Sequence, residues 1–424
     1  MGEAVADSCA SGVSLGVEEE FLLVDAVTGE SVPGAEGVLA RAGRHRWART
    51  GGSFQTELLT SQVEAATGVC RDVPGLAAQL RFGRARLAEA ARAGGMRLVS
   101  SGAPVLGGAA PPPSPGERFA RITAAYGTVI ADYQACGCHV HVGVADRETA
   151  VAVVNHLRPW LAPLLALSAN SPFQRGRDSG YASHRLVELA RFPGAGVPPW
   201  SASAADHDRR VAVLVESGVL VDPAMTFWLA RPSPRWPTVE VRAADAAATA
   251  DEAALQAALT RGLVGAALAD LSAGREAQRL DEQVCAAALW GAARHGMDGP
   301  ALDPFTGRAV PAWRLLGDLV ARAAPSLART GDLAWVRAVV EAVRREGTGA
   351  RRQRRAAARG RRALLEALAR DTESGVLPCA SPGAPDRGAG EARGGPLEAA
   401  AVVPGAVGPA GLVGDAAEDR RGLP

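Results

Sequence analysis

Lysine is absent from this 424-residue chain, so all 46 residues in its basic count are arginine. That absence excludes a lysine-bearing phosphate loop, a pyridoxal Schiff base and any catalytic lysine. Phosphate, if bound, must be held by arginine, backbone amides or a metal ion. With so much Ala, Gly and Arg, the missing lysine reflects a GC-rich genome more than a function. Net charge is also missing: 46 basic residues against 45 acidic ones leave +1, so no global field points to nucleic acid or a membrane surface. No run of 18 apolar residues occurs. The nearest, residues 151–167, is interrupted by Asn155, His156, Arg158 and two prolines. A basic segment leading into an apolar one is lacking near Met1, so no signal peptide is expected. The six cysteines (Cys9, Cys70, Cys136, Cys138, Cys285 and Cys379) are scattered and do not form a disulfide framework. A reduced, cytoplasmic enzyme is the expectation. Aromatic residues make up only 4%, and none interleaves the nine arginines of Arg344–Arg362, which reads as a solvated helical face more than a nucleic-acid site.

Apolar content of 47% is ample for a core, in one large domain or two ordinary ones. Residues 1–13 read as a flexible leader, 14–373 as a catalytic domain, and 374–424 as a disordered tail dominated by Gly, Pro and Ala. Strand patterns occupy 14–24 and 96–101, with a turn at Asp25–Gly29. Helical periodicity is expected over 75–93, over 147–168 behind an Asp146 cap and a kink at Pro159, and over 279–295, 312–323 and 333–345. Thr249-Ala-Asp-Glu252 is a capping-box signature that opens a helix to about Ser272. Loops are expected at 104–116 and 171–185. Strands first and helices later predict an α+β fold.

Three short segments carry the chemistry. Each sets ionisable side chains two residues apart inside an apolar run: Gly16-Val-Glu-Glu-Glu-Phe-Leu-Leu-Val24, Gly137-Cys-His-Val-His-Val-Gly-Val144 and Thr238-Val-Glu-Val-Arg-Ala243. Alternate residues of a strand share a face. Glu18 therefore pairs with Glu20, His139 with His141, and Glu240 with Arg242, as if around one cavity. Two carboxylates on one face repel unless a cation lies between them, which points to a divalent metal. Glu19 faces the other way, toward solvent or a partner. A zinc site from Cys136, Cys138, His139 and His141 is disfavoured, because alternation puts both cysteines opposite both histidines. Glu57 and Glu64 are seven apart, so they can converge only through a bulge or turn, for which Thr60-Ser61-Gln62 is suited.

With these residues in hand, the chain resembles the carboxylate-amine ligases called glutamate–cysteine ligase type 2, the YbdK-like group. The resemblance covers about residues 14–372. It rests on Leu15-Gly-Val-Glu-Glu-Glu-Phe, Glu57-Leu-Leu-x-Ser-Gln-Val-Glu64, Cys138-His-Val-His-Val-Gly143, Leu167-Ser-Ala-Asn-Ser-Pro-Phe173, Gly176-Arg-Asp-Ser-Gly-Tyr-Ala-Ser183, Thr238-Val-Glu-Val-Arg242 and Glu346-Gly-Thr-Gly-Ala350. More distantly, the first, third and sixth echo strand motifs of glutamine synthetase. The resemblance implies a glutamine-synthetase-like fold, a curved, mostly antiparallel sheet forming a funnel with helices outside. It implies ATP and Mg²⁺ as cofactors. Carried over, Glu18, Glu20, Glu57, Glu64, His139 and Glu240 would form the metal and ATP site, with His141 and Arg242 toward phosphate and Glu20 and Arg242 as catalytic groups. Arg177 and Arg185 would meet a substrate carboxylate. Ser179 departs from the Thr more often expected there and keeps the hydroxyl. The implied reaction joins glutamate to cysteine through an acyl phosphate, an activity that is weak in this family. The implied partners are small molecules (ATP and amino acids), with homodimers common among relatives and neither nucleic acid nor membrane involved. Alternatives are the same chemistry with another amine or acid, a zinc hydrolase built on His139, His141 and Glu18, and a non-catalytic nucleotide or metal sensor.

Overall fold

The segment after Gly12 enters directly into a long strand, β1 (Leu15–Asp25), whose two faces have opposite character. Leu15, Val17, Phe21 and Leu23 are buried on one face, whereas Glu18 and Glu20 alternate with them on the other. The computed structural model describes residues 12–43, 47 and 50–377. Of the expected leader only Gly12 and Val13 fall within these. The expected tail lies outside them except for 374–377, where Ser374 ends the last helix.

Six further strands pair antiparallel around β1. They are β2 (Ser53–Thr56), β3 (Gln62–Ala66), β4 (Met96–Val99), β5 (Gly137–Gly143), β8 (Ala230–Pro232) and β9 (Thr238–Asp245). The order is β2-β3-β1-β5-β9-β8, with β4 also paired to β1. A small hairpin of Phe173–Gln174 (β6) with Arg177–Asp178 (β7) lies within the segment read as a loop. The expected α+β class holds.

The main helices cover the apolar face of the sheet. The Val73–Arg92 helix is capped by the Asp72 carboxylate, which accepts from Gly75 N at 2.7 Å. Arg147–Leu157 is capped by Asp146, and a 3₁₀ turn at Arg158–Trp160 joins it to Leu161–Ser168, as the Pro159 kink predicts. The span Arg147–Ser168 has the length and apolarity of a membrane helix, yet 89% of its most apolar window is buried inside the protein. Ala250–Ser272 starts in the predicted Thr249/Glu252 capping box. That helix is buried along Ala250–Ala267, and the lack of a side chain at Gly262 and Gly265 allows Ala312–Arg329 to cross it closely. A Cβ at Gly265 would lie 2.1 Å from Ser326 Oγ.

Charge is not confined to one face. Glu19 is 1% exposed and forms a bidentate pair with Arg84, 2.6 and 3.1 Å, and Arg84 also donates to the Ala247 and Ala248 carbonyls. Of the two options for Glu19, the partner is the correct one. The basic 344–362 run is not a uniform solvated face. It spans three helices (Leu333–Glu346, Gly349–Ala357 and Arg361–Ser374) and buries Arg352 against Glu252 and Asp371 at 2.7 and 3.3 Å. Arg354 pairs with Asp178 at 2.7 Å. Gln353 is buried and donates to both the carbonyl and the side-chain oxygen of Asn170, each at 2.8 Å.

Candidate active site

The polar face of the sheet forms the floor of a cavity of about 170 Å³. Strand register explains how the three ionisable pairs meet. Glu18 lies opposite His139 across β1 and β5, Glu20 lies opposite Glu64 across β1 and β3, and His141 lies opposite Glu240 across β5 and β9. Adjacent strands lie about 5 Å apart, so directly paired side chains on one face touch. Glu57 follows β2 at the start of the β2–β3 turn, and the hairpin folds it back beside Glu64. Of Thr60-Ser61-Gln62, expected as the bulge or turn, Thr60 and Ser61 lie in that turn and Gln62 opens β3.

Two donor groups result. Glu20, Glu57 and Glu64 bring one carboxylate oxygen each to within 4.8 Å of one another, and Glu18, His141 and Glu240 do the same with two oxygens and a ring nitrogen. His141, not His139, belongs to the compact second group. His139 lies between the two, its ring nitrogens 3.6 Å from Glu18 Oε2 and 3.8 Å from Glu20 Oε1. Both histidines keep a buried Nε2 with no hydrogen-bond partner. The cysteines are absent from both groups. Cys138 packs on the helical side with Val140 and Val142, whereas Cys136, just before β5, packs with Leu22 on the opposite side. The expected common face for Cys136 and Cys138 is therefore incorrect, because Cys136 precedes the paired strand.

Electrostatics divide the floor. Burial, together with the Glu20 charge, lifts the Glu57 carboxyl to about 8. Burial and the surrounding Glu18, Glu57 and Glu20 charges lift Glu64 well above the ordinary range. Burial also raises Glu20, although Arg185 and Arg242 oppose it. Burial would raise Glu18 too, but hydrogen bonds and charge from His139 and His141 outweigh it and leave the carboxyl low. Burial and the Arg242 charge depress His139 to about 3, so its ring is neutral. Burial would lower His141, but Glu18 and Glu240 hold it up. Burial would raise Glu240, but Arg242 and Arg231 pull it far down. A cluster of three carboxylates that resist joint ionisation fits a divalent cation, and its all-oxygen donor set suits Mg²⁺ better than Zn²⁺.

Three arginines line the cavity beside the carboxylates. Arg242 Nη1 bonds Glu240 and lies 3.3 Å from His139 Nδ1. Arg231, which the sequence reading missed, clamps Glu240 from the other side with bonds of 2.8 and 3.1 Å. Arg185 is buried and donates to the Arg242 carbonyl through both Nη atoms at 3.3 Å, while its Nε has no partner. Among the described residues no carboxylate lies within 4.0 Å of its guanidinium. Arg177 is exposed on β7 and does not line the cavity, so the structure does not place it beside Arg185. An apolar wall of Phe119, Ile122, Tyr133, Leu189, Met225 and Phe227 completes the lining. No periodic signal marked these, since they come from short, separate elements.

The profile of "Glutamate-cysteine ligase family 2" matches residues 14–376. A protein of Saccharopolyspora erythraea named "Putative glutamate--cysteine ligase 2-2" is 55% identical over 349 residues, covering 82% of this chain and 89% of its own. A Salinispora arenicola protein named "Putative glutamate--cysteine ligase 2" is 44% identical over 365 residues, 85% of this chain and 96% of its own. Among solved structures, a glutamate–cysteine ligase of Francisella tularensis in complex with AMP superposes with a TM-score of 0.63 at 13% identity, covering 87% of this chain and 90% of that one. A bifunctional glutathione synthetase of Pasteurella multocida gives 0.61 at 15% identity, over 85% of this chain and 52% of that one.

Proposed function

This chain belongs to glutamate–cysteine ligase family 2, and from that membership we propose that it is an ATP-dependent ligase joining the γ-carboxylate of glutamate to the amine of cysteine. The observation that carries the reading is the meeting of four buried or half-buried glutamates (Glu18, Glu20, Glu57 and Glu64) with Arg185, Arg231 and Arg242 in one cavity, where Glu240 anchors the last two arginines. A carboxylate is a poor acylating agent and must first be activated. A γ-carboxylate oxygen attacks the γ-phosphorus of ATP, the bond to the ADP oxygen breaks, and an acyl phosphate forms. The amine nitrogen then attacks the acyl carbon, the carbon–oxygen bond to phosphate breaks, and the extra amine proton is released.

Mg²⁺, when bound, neutralises charge on the phosphates and helps phosphoryl transfer. Glu20, Glu57 and Glu64 fit one ion, and Glu18, Glu240 and His141 fit another. Arg242, anchored by Glu240, is directed at the charge that develops on the transferred phosphoryl group. Arg231 keeps Glu240 ionised and fixed. Arg185, with a free Nε and no carboxylate partner, is suited to a substrate carboxylate. Four described cysteines are buried free thiols, which supports a reduced cytoplasmic setting.

The oxygen-rich donor groups favour this reading over a zinc hydrolase. The test is ADP release with Mg²⁺, ATP and glutamate in the presence of cysteine or a panel of other amines. Cysteine-dependent ADP with a γ-glutamylcysteine mass supports the proposal. ADP with a different amine alone retains the chemistry and replaces the acceptor. ADP from no pair rejects the ligase reading.

A further inference from the structure

Strand alternation would send Asp245 to the helical side of the sheet with Val239, Val241 and Ala243. It does not go there. Between β5 and β9, Cys138 pairs with Ala244 and Val140 with Val241, so two residues of β5 are matched by three of β9. This bulge puts Ala243 and Ala244 into the same apolar cluster and turns Asp245 to the cavity side. The carboxylate is fully buried and accepts three hydrogen bonds: Asn170 N at 2.9 Å, Ser171 Oγ at 2.7 Å and Ser183 Oγ at 2.7 Å.

Those three donors frame the start of the short helix His184–Leu189, which carries Arg185. Ser183 occupies the capping position of that helix, yet its hydroxyl caps nothing and is committed to Asp245. Ser171 Oγ takes over the cap, accepting from Arg185 N at 3.1 Å, while the Ser171 carbonyl accepts from His184 N at 2.8 Å. Asp245 thus fixes both the cap and the capping group. The Arg185 guanidinium then passes over Gly137, where a Cβ would stand 2.4 Å from Nη2, and reaches the cavity wall.

Resting on the reading of Arg185 as the carboxylate-binding group, we propose that Asp245 is a positioning residue for substrate binding: it anchors Ser171 and Ser183, and so sets where Arg185 presents its guanidinium. No direct Asp245–Arg185 hydrogen bond is required. The negative charge behind the helix start also compensates the buried guanidinium, which has no carboxylate within 4.0 Å among the described residues.

The test is steady-state ADP release by the full chain carrying Asp245→Asn, Arg185→Gln or both, with glutamate and ATP varied separately. Asp245→Asn keeps the shape and removes the charge. The expected result is a rise of about tenfold or more in KM for glutamate, with kcat and KM for ATP changed less than about threefold. The double variant should add nothing beyond Arg185→Gln, since both act through one guanidinium. If Arg185→Gln raises KM for glutamate but Asp245→Asn does not, or if the two effects multiply, the positioning role is refuted while the Arg185 reading stands. If Arg185→Gln leaves that KM unchanged, the Arg185 reading fails and takes this proposal with it. Should Asp245→Asn not fold, Ser183→Ala removes a single bond to the carboxylate. It should raise the same KM by roughly two- to fivefold, and an unchanged KM would overturn the proposal.

Discussion

Replacing Glu64 by Gln should stabilise the metal-free protein at pH 8 while weakening its response to Mg²⁺. The reasoning begins with Glu57, whose carboxyl ionises near 4.5 when unperturbed and near 8 in the folded cavity. Below the lower value both states are protonated and no penalty exists. As pH rises between the two, the unfolded chain has released its proton while the folded one still holds it, so folding is progressively disfavoured. Above about 8 the accumulated loss reaches roughly 5 kcal/mol if one carboxyl bore it alone. Glu57 and Glu64 bring carboxylate oxygens to within 4.8 Å of each other and so share this cost. Glu64→Gln removes one charge and keeps a hydrogen-bonding group, and should recover roughly 1–3 kcal/mol at pH 8. Thermal unfolding in EDTA from pH 5 to 9, then with Mg²⁺, reads this directly. The wild type should lose Tm across pH 5–8 and regain it with Mg²⁺; the variant should lose less and regain less. A variant less stable than wild type at pH 8 without metal, or equal Mg²⁺ stabilisation of both, would refute the account of this cluster.

Other consequences concern the arginine wall and the core. Arg242→Ala and Glu20→Gln should each lower kcat on the order of a hundredfold or more, and wild-type turnover in either would remove that residue from the site. Gly137→Ala should raise KM for glutamate by about tenfold at nearly unchanged Tm, because the new Cβ meets the side-chain ends of Arg185 and His139 rather than backbone; an unchanged KM would show that Arg185 does not bind substrate from this position. Arg84→Met should cost roughly 3–5 kcal/mol in urea unfolding by stranding the Glu19 carboxylate, and adding Glu19→Leu should recover much of it. Additive losses in the double variant would contradict a buried, mutually compensating pair.

What could be read in advance followed the two-residue period of the strands. Glu18, Glu20, His139, His141, Glu240 and Arg242 share a face because alternation is a local property, set by the backbone alone. The Glu57–Glu64 convergence was accessible through its turn residues. Arg231 was not, because its partner Glu240 is reached only across the β8–β9 pairing. Asp245 was hidden by the bulge, which moves one residue of β9 across the sheet with no residue type that announces it. Arg177 misled for a related reason. It belongs to the same motif as Ser183, but a two-residue hairpin carries it outward while the helix after Ser183 turns Arg185 inward. The basic run at 344–362 looked solvated because composition does not reveal Glu252 and Asp371 waiting for Arg352.

Isotope transfer tests the central claim, that this cavity activates a carboxylate by phosphorylation, most directly. Glutamate labelled with ¹⁸O in its γ-carboxylate would be turned over with ATP, Mg²⁺ and cysteine, and the released phosphate analysed by mass. The account predicts one ¹⁸O atom in each phosphate released, with ADP as the other nucleotide product. Unlabelled phosphate, or AMP with pyrophosphate, would contradict it.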